Sequence, residues 1–211
     1  MKIFAVGDLH NHKSIEQKIL KELEKGNYEL FIGLGDYTEK KYFENLMKKI
    51  KIQKICLTGN WDFNFETPEN NEVPHLFNYV KANLKASDGE YKIVLLGSGI
   101  PSNFAKEVKE WVGDFDPKKL IICSHHPPYL LRDLADNGNH TGIKEFRDLL
   151  IRLKPALWLC GHIHEAYGIS KFLRTTVVNA SACNVNYEPM RAGYSIEITD
   201  KGVKIKEVKL S

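Results

Sequence analysis

The stretch KIFAVGDLHNH, residues 2–12, decides how the rest of the chain is read. An apolar run from Ile3 to Val6 shows no alternation and stops at Gly7-Asp8-Leu9-His10. A short run without a polar face predicts a strand covered on both sides. The same construction recurs four times. LFIGLGD (30–36) ends on Gly35-Asp36, and KICLTGNWD (54–62) on Gly59-Asn60-Trp61-Asp62. LIICSHH (120–126) ends on Ser124-His125-His126, and LWLCGHIH (157–164) on Gly161-His162-Ile163-His164.

Helical stripes separate the first three runs. Ile15, Ile19, Leu20 and Leu23 recur at helical spacing, with Ser14 expected as the cap and Gly26-Asn27 as the stop. Tyr42, Phe43, Leu46, Met47 and Ile50 form a second stripe. The order β-α-β-α-β predicts a layered α/β sheet. Farther on, Val80, Ala82 and Leu84 alternate, Asp88-Gly89 supplies a turn, and Tyr91 to Leu96 predicts the return strand of a hairpin. Ile143, Phe146, Leu149, Leu150 and Leu153 predict a helix ended by Pro155. Loops are expected over 64–71 and 130–140. The tail beyond Gly168 alternates in short runs, 177–180, 193–198 and 203–208, and is expected as antiparallel sheet.

The 211 residues fit one domain, 1–211. With 43% apolar and 27% charged residues, the composition is that of a soluble globule. Lys+Arg 30 against Asp+Glu 27 leaves +3, too little to argue for nucleic acid or an anionic membrane. The densest basic run, residues 48–54, is explained as a solvated helix end. No apolar window approaches the ~18 residues that span a bilayer, and the first residues lack a secretory h-region. Cys56, Cys123, Cys160 and Cys183 form no CxxC pair and read as buried thiols of a cytoplasmic protein. Monomer and homodimer both stay open.

In a layered α/β sheet the carboxyl ends of strands form the functional rim, so residues far apart in sequence can converge there. The five tips offer Asp8, His10, Asp36, Asn60, His125, His162 and His164. Six of the eight histidines lie in the tips or beside them. One metal takes about four to six ligands, so seven donors suit two adjacent metals sharing a carboxylate. A mixed nitrogen and oxygen set without thiolate favours manganese, iron, zinc or nickel over calcium. Two metals roughly 3.5–4 Å apart can share a hydroxide and hold two oxygens of a phosphoryl group.

The motifs Asp8-Leu9-His10, Gly35-Asp36, Gly59-Asn60-Trp61-Asp62, His125 and Gly161-His162-Ile163-His164, in that order, resemble the fingerprint of the calcineurin-like metallophosphoesterase superfamily. The resemblance runs from residue 3 to about residue 180. It implies a four-layer α/β/β/α sandwich of two mixed sheets and a dinuclear site, with manganese the first expectation. It implies Asp8, His10, Asp36 and His164 on the first metal, and Asp36, Asn60, His125 and His162 on the second. Asp36 would be the bridge, and the backbone at His162 would turn sharply. Asn60 would also touch the substrate phosphate.

Where the family commonly has His after the Asn, this chain has Trp61. An indole N–H donates a hydrogen bond but supplies no proton at neutral pH. The chain therefore resembles a small phosphodiesterase-like branch that lacks this His. The expected reaction is hydrolysis of a phosphodiester in a small substrate. A phosphomonoesterase, acting on a small molecule or a phosphoprotein, and a non-catalytic protein-binding scaffold of the same fold are the alternatives. His126 and His140 are the candidates for a substitute acid. Asp62, matching the family acid, and Glu165 are expected to orient metal-bound imidazoles. Asn179-Ala180-Ser181 stands where relatives close the site with a turn. His12 is expected to contact phosphate or cap the following helix, and His75 to be a plain surface residue. Trp61, Phe63, Phe65 and Tyr129 are possible walls for a base.

Overall fold

The computed structural model describes residues 1–62, 65 and 74–210. Two six-stranded sheets lie face to face. In the first, β1 (Lys2–Val6), β2 (Leu30–Gly33), β3 (Gln53–Leu57) and β4 (Leu76–Phe77) run parallel, and β11 (Arg191–Thr199) and β12 (Gly202–Lys209) join antiparallel beside β1. In the second, β6 (Gly89–Leu96), β7 (Leu120–Ser124), β8 (Leu157–Cys160) and β10 (Thr175–Asn179) run parallel. They are flanked by antiparallel β5 (Tyr79–Ala86) and β9 (Gly168–Phe172).

The non-alternating runs follow from burial on both faces. Ile3 and Ala5 point between the sheets, against a core that includes Ile93, Leu95, Leu159 and Val178. Phe4 and Val6 point outward, under α1 (Lys13–Lys25) and α2 (Lys40–Lys49). On the second sheet, Val94 and Ile122 lie beneath α3 (Phe104–Val112) and α4 (Lys144–Leu153). The layers are thus α/β/β/α, as the family resemblance implies. Burying a Val, Leu, Ile or Phe side chain is worth roughly 1.5–3 kcal/mol, so a polar residue slipped into these runs would be costly.

The sheets are stitched where the site forms. Gly7 N donates to Ala180 O at 3.0 Å, and Ala182 N donates to Gly7 O at 2.9 Å. This joins the ends of β1 and β10 across the sandwich and brings the rim of one sheet against the rim of the other.

Several expectations need correction. Helix α1 begins at Lys13, so Ser14 lies inside it; His12 is its N-terminal flanking residue and makes no side-chain cap. The tail is not purely antiparallel, because β10 pairs with β8 in parallel. Helix α3 has no counterpart in the sequence reading. Phe65 is buried, with its ring 6.3 Å from that of Phe43, so it belongs to the core. The loop expected over 64–71, Phe65 apart, and Phe63 lie outside the described residues. Over 130–140 the chain is irregular, with one bridge between Leu134 and His140. The four cysteines are free and buried, and His75 is exposed.

Candidate metal centre

The five strand tips meet in one place. Ligand atoms of Asp8, His10 and His164 lie within 4.8 Å of one another, and so do those of Asp36, His125 and His162. Asp8, His10, Asp36 and His162 have φ of +56°, +40°, +58° and +69°. Non-glycine residues seldom take that left-handed conformation, and it persists where the surroundings force it. At His162 it is the sharp turn expected from the resemblance.

Close backbone approach requires the neighbouring glycines. A Cβ at Gly161 would lie 2.6 Å from Asp8 Oδ2, and one at Gly59 would strike the Asp36 carboxylate.

The histidine tautomers are set by what each Nδ1 faces. His164 Nδ1 lies 2.8 Å from Asn184 O, and His125 Nδ1 lies 2.8 Å from Leu34 O. A carbonyl only accepts, so each Nδ1 carries a proton and each Nε2 is the atom turned to the cluster, free to ligate once it holds no proton. His10 Nδ1 lies 3.2 Å from Thr38 Oγ1 and is placed to do the same. The Nε2 atoms of His10 and His164 then face each other at 3.3 Å. In the second cluster, His125 Nε2 lies 2.8 Å from Asn60 Oδ1 and 3.4 Å from Asp36 Oδ2. Lone pairs directed at one another repel unless a cation or a proton lies among them. Both clusters therefore fit a divalent metal, with histidines oriented from behind as metal ligands are.

Charge follows the same logic. Burial would lower the His125 imidazole, but the hydrogen bond and charge of Asp36 outweigh it and raise His125 to about 9. Burial alone would raise Asp36, yet His125 and the Trp61 amide hold it below its ordinary value. A proton shared there stands where a cation would. Burial, with His126 and His125 beside it, lowers His162 to about 3. Burial also lowers His10, against the pull of Asp8 and Asp36. The His162 and His10 rings are thus held in the neutral form, the form that ligates metal.

The carboxylates are braced too. Asp8 Oδ2 lies 2.5 Å from Ser181 Oγ and accepts the His162 amide at 3.0 Å. Asn179 Nδ2 donates to Ile163 O at 2.8 Å and Gly161 O at 3.3 Å, steadying the loop that carries both ligand histidines. Asn179-Ala180-Ser181 therefore closes the site without Pro or Gly. Asp62 contacts no ligand histidine, contrary to the expectation for it. It accepts the amides of Asp36, Tyr37, Thr38 and Gly59. Burial and the charge of Asp36 raise it to about 6, against the amides of Gly59, Thr38 and Tyr37. Glu165 likewise orients no imidazole; its Oε1 accepts the Asp136 amide at 2.7 Å.

A cleft of about 320 Å³ opens over the centre. Besides Asp36, His162 and His164, it is lined by Asn60, Trp61, Asp136, Glu165, Val185 and Tyr187. Among the described residues, no Lys or Arg lines it. His126 and His140, the two candidate acids, do not line it either. The His126 ring packs on His162 at 3.8 Å, and burial lowers it to about 4, so it is neutral at pH 7. His140 Nδ1 pairs with Asp133 Oδ1 at 2.7 Å, and Tyr129 lies against His140 rather than in the cleft. Trp61 is 44% exposed, its ring edge-on to His10 at 5.9 Å. Tyr187, which no motif marked, lies 4.9 Å from the His10 ring. His12, rather than capping α1, lies 2.7 Å through Nε2 from Tyr187 O.

Comparison with known proteins bears on the fold and the family. The chain is 36% identical over 80 residues to the human metallophosphoesterase domain-containing protein 1. That match covers 37% of this chain and 24% of the relative, so it spans about a quarter of the curated protein. A structure from Thermus thermophilus superposes with a TM-score of 0.67 at 12% identity, covering 99% of each chain. A dimetal phosphatase from Danio rerio superposes at 0.63 with 9% identity, over 100% of this chain and 96% of that one. These likenesses show the fold. No helix among the described residues is long and apolar enough to cross a membrane. The family model of calcineurin-like phosphoesterases matches residues 1–166, and the chain belongs to that family.

Proposed function

We propose that this chain hydrolyses phosphodiesters of small molecules on a dinuclear centre, in the branch of the family where Trp61 replaces the common His. The observation that carries the reading is the pair of facing clusters whose donors present lone pairs to one another and call for cations between them. In this reading Asp8, His10, Asp36 and His164 hold one metal, and Asp36, Asn60, His125 and His162 the other. Manganese is the first candidate; iron, zinc and nickel suit the same donors. Two such metals would supply a hydroxide nucleophile at neutral pH and neutralise charge on the phosphoryl oxygens.

The chain's own residues do the rest. Asp36 keeps a negative charge between the clusters. Asn60 stands on the cleft wall, where its amide can turn toward a phosphate oxygen. The walls favour a diester over a monoester. Asp136 and Glu165 line the cleft without a Lys or Arg among the described lining residues. A dianionic monoester would meet that acidity with more repulsion than a monoanionic diester.

The test is hydrolysis of bis-p-nitrophenyl phosphate beside p-nitrophenyl phosphate, on metal-free protein titrated with manganese, iron, zinc or nickel. Metal-dependent diester turnover that is lost in Asp36→Asn supports the reading. Preference for the monoester would overturn the diester assignment. No turnover with any metal, in a folded protein, would overturn the hydrolytic reading and favour a binding role.

A further inference from the structure

Residues 184–188 form a tight turn beside the centre. Asn184 N donates to Glu188 O at 2.9 Å and Tyr187 N to Asn184 O at 2.9 Å; Asn184 Oδ1 accepts the amides of Asn186 and Glu188. The turn is fastened to the site at two points. His164 Nδ1 donates to Asn184 O at 2.8 Å, and His12 Nε2 lies 2.7 Å from Tyr187 O. Tyr187 has φ of +61°, strained for a bulky aromatic residue. Its ring lies edge-on to His10 at 4.9 Å and His164 at 5.2 Å, and against Trp61 at 5.8 Å. Tyr187 is 46% exposed and lines the cleft.

We propose that Tyr187 is the general acid of the diester hydrolysis, standing beside Trp61 and doing what that indole cannot. The proposal rests on the hydrolytic reading above. Hydroxide forms a new P–O bond, the bond to the leaving group breaks, and its electron pair goes to the leaving oxygen. That oxygen takes the Tyr187 phenolic proton and departs as an alcohol, and the tyrosinate regains a proton from water. Tyrosine belongs to the side chains that act as general acids, whereas indole does not. Asp136 and Glu165 are the carboxyl groups on the outer wall of the cleft, and Glu165 Oε1 is engaged by the Asp136 amide.

The experiment compares methyl aryl phosphates whose leaving groups run from phenol to p-nitrophenol, on metal-loaded wild type, Tyr187→Phe and Glu165→Gln. A general acid matters most for the poorest leaving group. Tyr187→Phe should lower kcat/KM on the order of a hundredfold for the phenyl ester and tenfold or less for the p-nitrophenyl ester, as loss of an acid contributing ~10²–10⁴-fold requires. Elemental analysis should find the metal content of Tyr187→Phe unchanged. Calorimetry should find its affinity for a methyl arylphosphonate, which lacks the leaving oxygen, equal to the wild type's. Parallel leaving-group plots for Tyr187→Phe and wild type would overturn the proposal, as would steepening in Glu165→Gln alone, or weakened phosphonate or metal binding that accounts for the lost rate. Those results leave the hydrolytic reading intact. Wild type inert on every ester would instead overturn that reading, and this proposal with it.

Discussion

The carboxylate of Asp62 accepts the backbone amide of Asp36 at 2.8 Å, so the loop after β3 sets the position of the loop after β2. The same Oδ2 accepts Gly59 N at 2.8 Å, while Oδ1 accepts Tyr37 N at 2.8 Å and Thr38 N at 3.1 Å. Asp62 is buried, and no other described side chain engages these amides. Asp62→Asn places an NH₂ group against N–H donors and leaves two of them unsatisfied. Each such group costs about 1–3 kcal/mol, so a stability loss of roughly 2–6 kcal/mol is expected in urea unfolding. Metal affinity should fall as well, because Asp36 moves with its backbone. Unchanged stability would show that water reaches these amides.

Ser181 acts on the other cluster. Its Oγ lies 2.5 Å from Asp8 Oδ2 and 2.7 Å from Asn179 Oδ1, and the charged carboxylate is the stronger acceptor for its single proton. Ser181→Ala leaves the Asn179 bonds to Gly161 and Ile163 in place, so the fold should persist. Metal affinity at the Asp8 cluster should drop ~10–100-fold, the usual effect of losing a group that orients a ligand. Competition with a chelator measures it; unchanged affinity would leave Ser181 a packing role only.

Much of this centre was legible in the chain because its logic is local. Ile3, Phe4, Ala5 and Val6 lack alternation since helices cover one face and the second sheet the other, and parallel strands bring their polar tips to one rim. What stayed hidden depends on partners that spacing does not encode. Asp62 was marked beside the site, but nothing in its spacing says that it faces four amides instead of an imidazole. Tyr187 lies in a polar turn whose placement depends on backbone carbonyls accepting from His164 and His12. Helix α3 buries Phe104, Val108 and Val112, a sparse stripe at every fourth residue among charged neighbours. Strands β10 and β11 both read as alternating tail, and only the fold sends them to different sheets.

Metal-free protein should be sensitive to acid. His162, lowered to about 3, and His126, lowered to about 4, are neutral when folded and titrate near 6.5 when unfolded. As pH falls below 6.5 the unfolded chain takes up protons that the folded chain refuses, so stability drops. The depressed Asp36 acts in the same direction at lower pH. Asp62, raised to about 6, opposes them, since its contribution is present below its unfolded value and lost as pH rises through 6. His125, raised to about 9, contributes fully below 6.5 and is lost as pH rises through 9. Urea midpoints in chelator should therefore peak near neutrality and fall on both sides. His126→Ala should flatten the acid limb. An acid limb unchanged by that substitution would remove His126 from the account.

Trp61→His restores the residue common in the family and asks whether the cleft can use it. The position is 44% exposed, so the fold should tolerate the exchange. An introduced imidazole needs a partner to hold its tautomer and direction, and Asp62 is the adjacent carboxylate. A carboxylate offers about four lone-pair sites, and four amides already occupy those of Asp62. The new His is left without an orienting partner. Its gain in kcat/KM on methyl phenyl phosphate should stay near tenfold or below, short of the ~10²–10⁴ of a well-placed acid. If Tyr187 is the acid, that gain should be larger in the Tyr187→Phe background than in the wild type, because the second donor then fills a gap instead of duplicating one. Equal gains in both backgrounds would mean that the two positions do not serve the same leaving oxygen.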